Sequence, residues 1–312
     1  MEKSFDEVIQ IESRTLDRET TALSELIMKH TVQDGTYHTA IPNVYLNRYS
    51  HHHAGHEVLA MHAPFVGIAV SGEKEVTIGD AKCRYGGSKI FVSPVALPVI
   101  LHTTHATLEQ PFLGIGLILD PQKISALVLN VFPRGLPHGQ PRYQGYLVDA
   151  DVSLLQALTR LLQCLSDPEE VKLFTPLIME EILLRLLRSP VGVLIAEMGI
   201  VDSTVSRITQ AIAWLQENYA QKITISALAG LVHMSVSSFC EHFKAVTSMS
   251  AIQYQKAIRL QKARSLMLTK QLEASEACRM VGYVSDSQFS RDYSRLFGNP
   301  PIRDIARVLQ QK

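Results

Sequence analysis

The chain has 312 residues, of which 46% are hydrophobic and 19% charged, and its 30 Lys and Arg balance 30 Asp and Glu. This length suits two domains plus a linker, and the composition is ordinary for a soluble globular protein. The four cysteines form no CxxC pair and the first residues contain no apolar signal core, so we expect a cytoplasmic protein without disulfides. The most apolar window, residues 182–200, is interrupted by charges and a proline and is a poor membrane span.

Charge is unevenly distributed along the chain despite the balanced total. Residues 205–312 hold fourteen Lys and Arg against seven Asp and Glu, a net charge of +7. The other 204 residues hold sixteen against twenty-three, a net charge of −7. A basic carboxyl-terminal third on an acidic body is expected where one domain approaches the phosphates of nucleic acid. Chance unevenness of solvated faces is the alternative explanation.

The first 120 residues combine helical and strand-like patterns. Apolar positions among the charges of residues 1–30 predict one or two amphipathic helices. From about residue 31 to 120, short apolar runs separated by turns such as Ser71-Gly72 predict an antiparallel barrel or sandwich. The predicted strands are 66–70, 75–78, 81–85, 89–92, 98–104 and 112–119. A small β-barrel suggests a sensor pocket, and a purely structural or dimerising barrel is the alternative.

A histidine-rich run in this region raises the question of a metal site. Four histidines lie between His51 and His56, with Glu57 beside them, and sets of His and Glu can bind divalent metals. From a later strand, only His102 or His105 could complete such a set. We therefore favour a solvated loop, and we expect no metal, no cofactor and no catalytic residue.

Cys83 lies in the middle of a predicted strand and is interpreted as a small buried apolar group. A reactive thiol that senses an electrophile is the alternative. Its neighbours Lys82 and Arg84 would not activate it, because adjacent residues of a strand point to opposite faces.

Beyond residue 120 the pattern becomes helical. Residues 121–132 predict a helix that closes the first domain, and the Pro-, Gly- and Tyr-rich segment 132–149 predicts a loop or linker. Two helices follow, one over 151–165 and one that ends at Leu187, and both carry Leu and Ile stripes at helical spacing. Such stripes are usually core, but here they could equally form a seam between the subunits of a homodimer.

The carboxyl-terminal third carries one short pattern twice, about 50 residues apart. In the first copy Ala229 lies four residues before His233, and Phe239 follows a serine-rich turn; in the second copy Cys278 lies four residues before Gly282, and Phe289 follows after Ser285. A small residue, a tight turn, a serine cap and an aromatic anchor predict a helix-turn-helix. The predicted caps are Thr224, Ser235 and Ser285.

Counting from these caps separates a buried from an outward face on each second helix. The outward side chains, our candidate DNA-binding residues, are Ser237, Ser238, Glu241 and Lys244 in the first copy and Ser287, Gln288, Arg291 and Arg295 in the second. Arg291 can bond bidentately to guanine and Gln288 to adenine, whereas Glu241 can accept only from cytosine and would be repelled by phosphate. The second helix is therefore expected to supply more of the sequence reading.

A long helix over 252–268 is predicted to link the two copies. Its inward positions are Ile252, Leu260, Ala263 and Met267. Its basic residues are candidate phosphate contacts, although such charges are usually a solvated helix face. These residues are Lys256, Arg259, Lys262 and Arg264.

These motifs resemble the two-motif DNA-binding domain of the AraC/XylS transcription regulators. The resemblance covers roughly residues 203–308 and rests on both motifs and on the connecting helix with its sequence RLQKAR. More loosely, the segment VSGEKEVTIGD and the later YGGSKIFVSPVALPV resemble the cupin-like amino-terminal domain of one subgroup. Two departures are Glu241, where the family commonly has arginine, and Ser248, where glycine often ends the first recognition helix.

The resemblance implies a fold and a function. We expect an α+β protein with a cupin-like β-barrel and effector-binding domain over 1–135, a helical and dimerising linker over 150–190, and an all-α DNA-binding domain with two helix-turn-helix motifs over 203–312. Its partners would be promoter DNA, a small-molecule effector, RNA polymerase and a second copy of the chain. The alternatives are a cupin-type metal-binding enzyme with a helical appendage and an interaction protein that does not bind DNA.

Overall fold

The computed structural model describes residues 5–51, 57–60, 63–79, 81–137 and 147–310, with side chains from residue 14 onward and none over 57–60. This part of the chain is a mixed α+β fold, which confirms the predicted class. The strands are β1 (Gly35–His38), β2 (Val44–Tyr49), β3 (Glu57–Ala60), β4 (Phe65–Ser71), β5 (Glu73–Ile78), β6 (Ala81–Gly86), β7 (Lys89–Ser93), β8 (Pro98–His105), β9 (Phe112–Ile118) and β10 (Leu147–Asp149).

Helices precede and follow the strands. They are α1 (Phe5–His30), α2 (Pro121–Val131), α3 (Val152–Gln163), α4 (Pro168–Leu187), α5 (Gly192–Gly199), α6 (Thr204–Glu217), α7 (Ile225–Leu231), α8 (Val236–Thr247), α9 (Ala251–Thr269), α10 (Ala274–Met280), α11 (Asp286–Phe297) and α12 (Pro301–Gln310). Within the described residues, no helix has an apolar stretch long enough to cross a membrane.

The strands form two antiparallel sheets, so the expectation of a closed barrel is wrong for the described residues. A six-stranded sheet has the order β1-β2-β9-β4-β7-β10, and a four-stranded sheet has the order β3-β8-β5-β6. The chain passes from one sheet to the other at Gly72, whose φ is +71° and where a Cβ would lie 2.6 Å from the His105 carbonyl oxygen. The alternation of apolar residues predicts strands and faces, but it does not say which strand edges pair.

Burial patterns explain why some strands alternate and others are apolar throughout. In β5 the inward residues are Lys74, Val76 and Ile78, and the residues between them face out. In contrast, β4 and β9 are buried along nearly their whole length, because α1 covers the six-stranded sheet on its outer side. Leu23 and Ile27 of α1 are completely buried there. The predicted amphipathic helix is a single continuous helix.

The segment predicted as a loop after α2 contains an unexpected strand. Residues 147–149 form β10, which pairs antiparallel with β7 at the edge of the larger sheet. The three-residue strand carries too little periodicity to be recognised in the sequence. Directly after it, α3 packs against α1 and α4.

The leucine stripes of α3 and α4 have different environments. In α3 the stripe is core, since Leu154, Leu158 and Leu161 are buried within the chain. In α4 the carboxyl-terminal half is buried in the same way, whereas the amino-terminal half exposes apolar side chains. These are Leu173, Phe174 and Leu177, with 57%, 49% and 64% exposed.

Two hydrophobic clusters divide the helices of the last third. One cluster runs without a break from the sheets through α6, α7 and α8 to Ile258 of α9. The other is separate and is built from the second half of α9 with α10 and α11. The helix α9 therefore belongs to both clusters.

A direct contact joins the sheets to the first half of this helical region. The Tyr254 hydroxyl of α9 donates a buried hydrogen bond of 2.7 Å to the Ala96 carbonyl oxygen. Beside it, the turn at Gly79 lies against Met249, since a Cβ on this glycine would be 3.3 Å from the Met249 Cβ. The start of α9 and the loop before it are therefore packed on the β-domain.

Candidate nucleic-acid interface

Two helix pairs stand where the repeated pattern predicts them. The first helix pair is α7 with α8, and the second helix pair is α10 with α11. The Ser235 hydroxyl accepts from the Ser238 amide at 3.2 Å, and the Ser285 hydroxyl accepts from the Gln288 amide at 3.3 Å. Thr224 caps α7 in the same manner. The predicted caps are confirmed, and each satisfies an amide that the helix itself leaves unpaired.

The turn inside each pair has the same backbone hydrogen bond. The Met234 amide donates to the Ala229 carbonyl oxygen at 2.9 Å, and the Tyr283 amide donates to the Cys278 carbonyl oxygen at 3.1 Å. These residues occupy matching positions of the two sequence copies. The repeat in the sequence is therefore a repeat of backbone geometry.

Both turns place one residue in the left-handed region, but only one of them requires glycine. His233 has φ of 54° and is exposed, so its side chain meets no obstacle. Gly282 has φ of 84°, and a Cβ there would lie 2.1 Å from the Ala220 carbonyl oxygen. A side chain at 282 would collide with backbone as well as strain its own conformation.

An arginine from the preceding helix supports each turn, a role that the sequence did not reveal. Arg207 of α6 donates to the His233 carbonyl oxygen at 3.2 Å, and Arg259 of α9 donates to the Gly282 carbonyl oxygen at 3.2 Å. Arg259 also donates to the Tyr219 carbonyl oxygen at 2.6 Å. These guanidinium groups satisfy carbonyl oxygens that a helix end leaves without intrahelical partners.

The carboxyl ends of α8 and α11 are closed by matching left-handed residues. Ser248 has φ of 60° and Gly298 has φ of 77°, and their amides donate to the carbonyl oxygens of Lys244 at 2.8 Å and Ser294 at 2.9 Å. Glycine suits this position because it has no Cβ. Ser248 makes the same cap in the first helix pair, but its Cβ makes the left-handed backbone conformation less favourable than it is for glycine.

Aromatic side chains anchor α8 and α11 on their inner faces, as predicted. Phe239 and Phe243 are completely buried, and the Phe243 ring lies edge-on to Tyr254 with 5.6 Å between centroids. In α11 the Tyr293 ring packs on Phe297 at 4.3 Å and on Phe289 at 5.6 Å. This anchoring fixes which face of each helix points away from the protein.

The candidate DNA-binding side chains lie on these outward faces. Seven of the eight are exposed and Ser238 is half-buried: the exposed ones are Ser237, Glu241, Lys244, Ser287, Gln288, Arg291 and Arg295. On α11, Gln288, Arg291 and Arg295 are three and four residues apart and so follow one side of the helix. The sequence placed these positions correctly because the caps set the helical phase.

Three of the four basic residues of α9 have partners inside the protein, so they are less available to phosphate than expected. Lys256 lies 3.2 Å from an Asp292 carboxylate oxygen, and Arg264 lies 2.7 Å from one of the buried Asp304. Arg259 supports the turn of the second helix pair. Of the four, Lys262 is the exposed one. A single sequence shows a cation on a helix but not the acceptor that folding brings to it.

Ile252 is also placed differently from the prediction. It was expected to point inward, yet 56% of it is exposed, whereas Leu260, Ala263 and Met267 are buried as predicted. At the start of α9 the inward positions are taken by Ala251 and Tyr254.

Comparison with known proteins agrees with this arrangement. Residues 40–194 match the family described as the AraC-type transcriptional regulator N-terminus, and residues 228–306 match a helix-turn-helix domain. The chain belongs to the AraC/XylS family of transcription regulators. The second match begins within α7 of this AraC-family protein and includes α8 and the whole second helix pair.

Individual relatives are similar in the carboxyl-terminal region or in fold. The chain is 28% identical over 90 residues to the probable transcriptional regulator LumQ of Photobacterium leiognathi, covering 29% of this chain and 36% of LumQ. It is 26% identical over 105 residues to the transcriptional activator RhaS of Escherichia coli, covering 34% of this chain and 37% of RhaS. These matches span little more than a third of either relative. An apo crystal structure of ToxT from Vibrio cholerae shares the fold at a TM-score of 0.54 and 10% identity, covering 86% of this chain and 98% of ToxT.

In this AraC-family protein, the described part of the β-domain contains no group of three or more His, Cys, Asp or Glu that could hold a metal ion. His51 is exposed, and its Nδ1 lies 3.6 Å from an Asp34 carboxylate oxygen. Four members of the predicted set lie outside the described residues or side chains: His52, His53, His56 and Glu57.

Cys83 is half-buried and its environment does not activate it. Burial raises the pKa of the thiol, and the negative charge of Glu75 raises it further. Lys82 and Arg84 are on the opposite face, where both lie within salt-bridge distance of Glu75. The thiol therefore stays protonated at neutral pH, which favours the interpretation as a packing residue.

Proposed function

We propose that this AraC-family protein is a sequence-specific DNA-binding transcription regulator whose amino-terminal β-domain binds a small effector. The observation that carries the proposal is the pair of capped helices α8 and α11, each buried along an aromatic face and exposed along a polar one. Two such helices in one chain fit two successive segments of a major groove, so one subunit would read an extended half-site. RNA polymerase would be its protein partner at the promoter.

The domain assignments follow the same proposal. Residues 1–135 would form the effector-binding domain, with two facing sheets in the place of a cupin-like barrel. Residues 150–190 would support dimerisation, and residues 203–312 would bind DNA through two helix-turn-helix motifs. The net charge of +7 over residues 205–312 supports the last assignment, since phosphate attracts a basic surface.

Recognition would be unequal between the two helix pairs. Arg291 and Gln288 of α11 are exposed on one side of the helix and suit guanine and adenine in the major groove. At the position of Arg291 the first helix pair has Glu241, which is exposed and repels phosphate. We therefore assign most of the base-specific energy to α11.

A binding experiment tests this assignment. The preferred sequence is first selected from a random DNA library with the full-length protein, and its affinity is then titrated by gel shift. Arg291→Ala should weaken specific binding by about 1–3 kcal/mol, because a bidentate base contact is lost. Arg303→Ala changes another exposed arginine, which lies outside α8 and α11, and should have a smaller effect. An unchanged affinity of Arg291→Ala would refute the assignment.

The role of the first helix pair is tested by reversing the charge of Glu241. Glu241→Arg should strengthen non-specific binding and make it more salt-dependent, since one more phosphate would be neutralised. The slope of the logarithm of affinity against the logarithm of salt concentration measures this. If the slope stays that of the wild-type protein, Glu241 does not face DNA.

The exposed apolar face of α4 supports the proposal of a homodimer. Leu173, Phe174 and Leu177 lie within one and a half turns and are each about half exposed, whereas single exposed apolar residues are ordinary. We expect Leu173→Lys combined with Leu177→Lys to give a monomer in light scattering coupled to size exclusion. Leu129→Lys, on the exposed face of α2, is the matched control and should leave the dimer intact. A monomeric wild-type protein would refute the dimer.

A further inference from the structure

The loop before the first helix pair and the turn of the second helix pair are in direct contact. The loop contributes residues 219–221, between α6 and α7, and the turn contributes Gly282. A Cβ on Gly282 would lie 2.1 Å from the Ala220 carbonyl oxygen, so the backbone of the turn rests on the backbone of the loop. Tyr219 packs against both hydrophobic clusters at this point. We call residues 219–221, Arg259 and Gly282 the interpair joint.

The guanidinium group of Arg259 binds both sides of the interpair joint. Its Nε donates to the Tyr219 carbonyl oxygen at 2.6 Å, and its Nη2 donates to those of Ala220 and Gln221 at 3.2 and 2.9 Å. Its Nη1 donates to the Gly282 carbonyl oxygen at 3.2 Å. Because a guanidinium group is planar and its donors have fixed directions, this one side chain fixes the loop relative to the turn.

The surroundings of Arg259 stiffen the joint. These four acceptors are backbone oxygens, which cannot rotate away as the carboxylate of a side chain can. Gln255, one turn earlier on α9, donates to two carbonyl oxygens of the same loop at 2.9 and 2.8 Å. On the other side, the Tyr283 ring lies 6.0 Å from the Arg259 guanidinium carbon and edge-on to Phe289 of α11 at 5.4 Å. The joint therefore continues to the inner face of α11.

The arginine that supports the turn of the first helix pair has a different second partner. Arg207 donates to the carbonyl oxygens of Val232 and His233 at 3.3 and 3.2 Å. It also donates to the Asp202 carbonyl oxygen at 3.2 Å and lies 3.8 Å from an Asp202 carboxylate oxygen. Asp202 lies two residues before α6. Arg207 therefore joins the turn to the start of its own helix, whereas Arg259 joins the two helix pairs.

A fixed joint has a consequence for a protein that reads two segments of DNA. One extra base pair between the segments moves them about 3.4 Å further apart and rotates them by about 35° around the duplex axis. A rigid protein can place both recognition helices at one spacing only, whereas a flexible joint accommodates several spacings.

We propose that Arg259 is a positioning residue that sets the spacing of the two DNA segments read by α8 and α11. It acts by holding the second helix pair at one place relative to the first. The helix α9 connects the two pairs, and the interpair joint is a further attachment, to the loop before α7. This inference rests on the proposed function, in which both helices enter the major groove.

The experiment measures the preference for one spacing. The full-length protein first selects its site from a random DNA library, and footprinting locates the two segments. Gel-shift titration then compares this site with versions that carry one base pair more or one fewer between the segments. For the wild type we expect each change to weaken binding at least about tenfold, because the base contacts of one helix are lost. Equal affinity for the three spacings would overturn the proposal.

Variants assign the preference to Arg259. Arg259→Ala should reduce the loss at a changed spacing to about threefold or less, since the freed second helix pair can follow its segment. The ratio of affinities within one variant does not change if part of the protein is inactive. Arg207→Ala is the matched control, because it also removes an arginine that supports a turn, and it should keep the wild-type ratio. A wild-type ratio in folded Arg259→Ala, or an equal change in Arg207→Ala, would overturn the proposal.

A second variant covers the case in which Arg259→Ala does not fold. Arg259→Lys keeps the positive charge, but a single ammonium group cannot donate to the loop and to the turn in the same fixed directions. Its loss of affinity at a changed spacing should be smaller than that of the wild type. Circular dichroism establishes which variants are folded. If only Arg259→Lys folds, a wild-type ratio in this variant would overturn the proposal.

The same experiment separates this inference from the proposed function. A protein that selects no sequence would refute the regulator function and, with it, the role of Arg259. A protein that selects a site with two segments but tolerates a changed spacing would leave the regulator function standing and refute the role of Arg259 alone.

Discussion

The two helix pairs have the same architecture but different neighbours. The first helix pair shares a hydrophobic cluster with the β-domain, and the second has a cluster of its own. The first pair uses His233 and Ser248 at its left-handed positions, and the second uses Gly282 and Gly298. The first helix pair is therefore packed on the β-domain, whereas the second has its own cluster and contacts the rest of the chain at Tyr219 and Ala220.

The difference extends to the surfaces that would meet DNA. The first helix pair presents Glu241, and the second helix pair presents Arg291 at the same position. Attachment to the β-domain and a weaker reading surface occur in the same copy. We infer that the first pair mainly connects the sensor to the DNA-binding unit and that the second mainly reads the sequence.

Among variants that separate the two helix pairs, Gly282→Ala is expected to change stability the most. The added Cβ would meet the Ala220 carbonyl oxygen at 2.1 Å at a positive φ, which should destabilise the second helix pair by about 3 kcal/mol. His233→Ala at the matching turn should change stability by no more than about 0.5 kcal/mol, because His233 is exposed. Amide hydrogen exchange resolved by segment measures both. Equal effects would mean that the two turns are equivalent.

A smaller effect is expected from Tyr254→Phe. This change removes the hydrogen bond to the Ala96 carbonyl oxygen and should loosen the contact between the β-domain and α9 by about 1 kcal/mol. Exchange should rise in the first half of α9 and at residues 95–97, and stay the same in α11. Faster exchange throughout α10 and α11 would show that the second helix pair is not independent.

The smallest effect is expected from exchanging the residues that end the recognition helices. Ser248→Gly should stabilise the first helix pair by up to about 1 kcal/mol, because glycine adopts a left-handed backbone without strain. Gly298→Ser should destabilise the second pair by a similar amount. Urea unfolding of the two variants measures the change in the free energy of unfolding, which should be positive for Ser248→Gly and negative for Gly298→Ser. If both variants change the free energy of unfolding in the same direction, the left-handed backbone at 248 and 298 is not the common cause.

Local signals in the sequence predicted the helical region well. Side-chain caps such as Ser235 and Ser285 act within three residues, so they fix both the start of a helix and its outward face. The aromatic anchors Phe239 and Phe289 follow at fixed spacing. The eight candidate residues therefore fall on outward faces, and their contact with DNA stays a prediction.

Features that depend on distant partners could not be predicted in this way. Arg207 and Arg259 each donate to a turn carbonyl oxygen more than twenty residues away, which no local pattern in the sequence reveals. The strand β10 depends on pairing with β7, in which Asp149 is opposite Lys89, 60 residues earlier in the chain and well beyond the range of periodicity. Edge pairing likewise decides between two sheets and a closed barrel.

The unbroken helix α9 has a mechanical consequence. Its 19 residues form a rod about 28 Å long, anchored at one end to the β-domain through Tyr254 and at the other to the second hydrophobic cluster through Met267. Because α9 is continuous, a small tilt of its first turns against the β-domain would displace the second helix pair by a larger distance. This helix also fixes the separation of α8 and α11, because both of them pack against it.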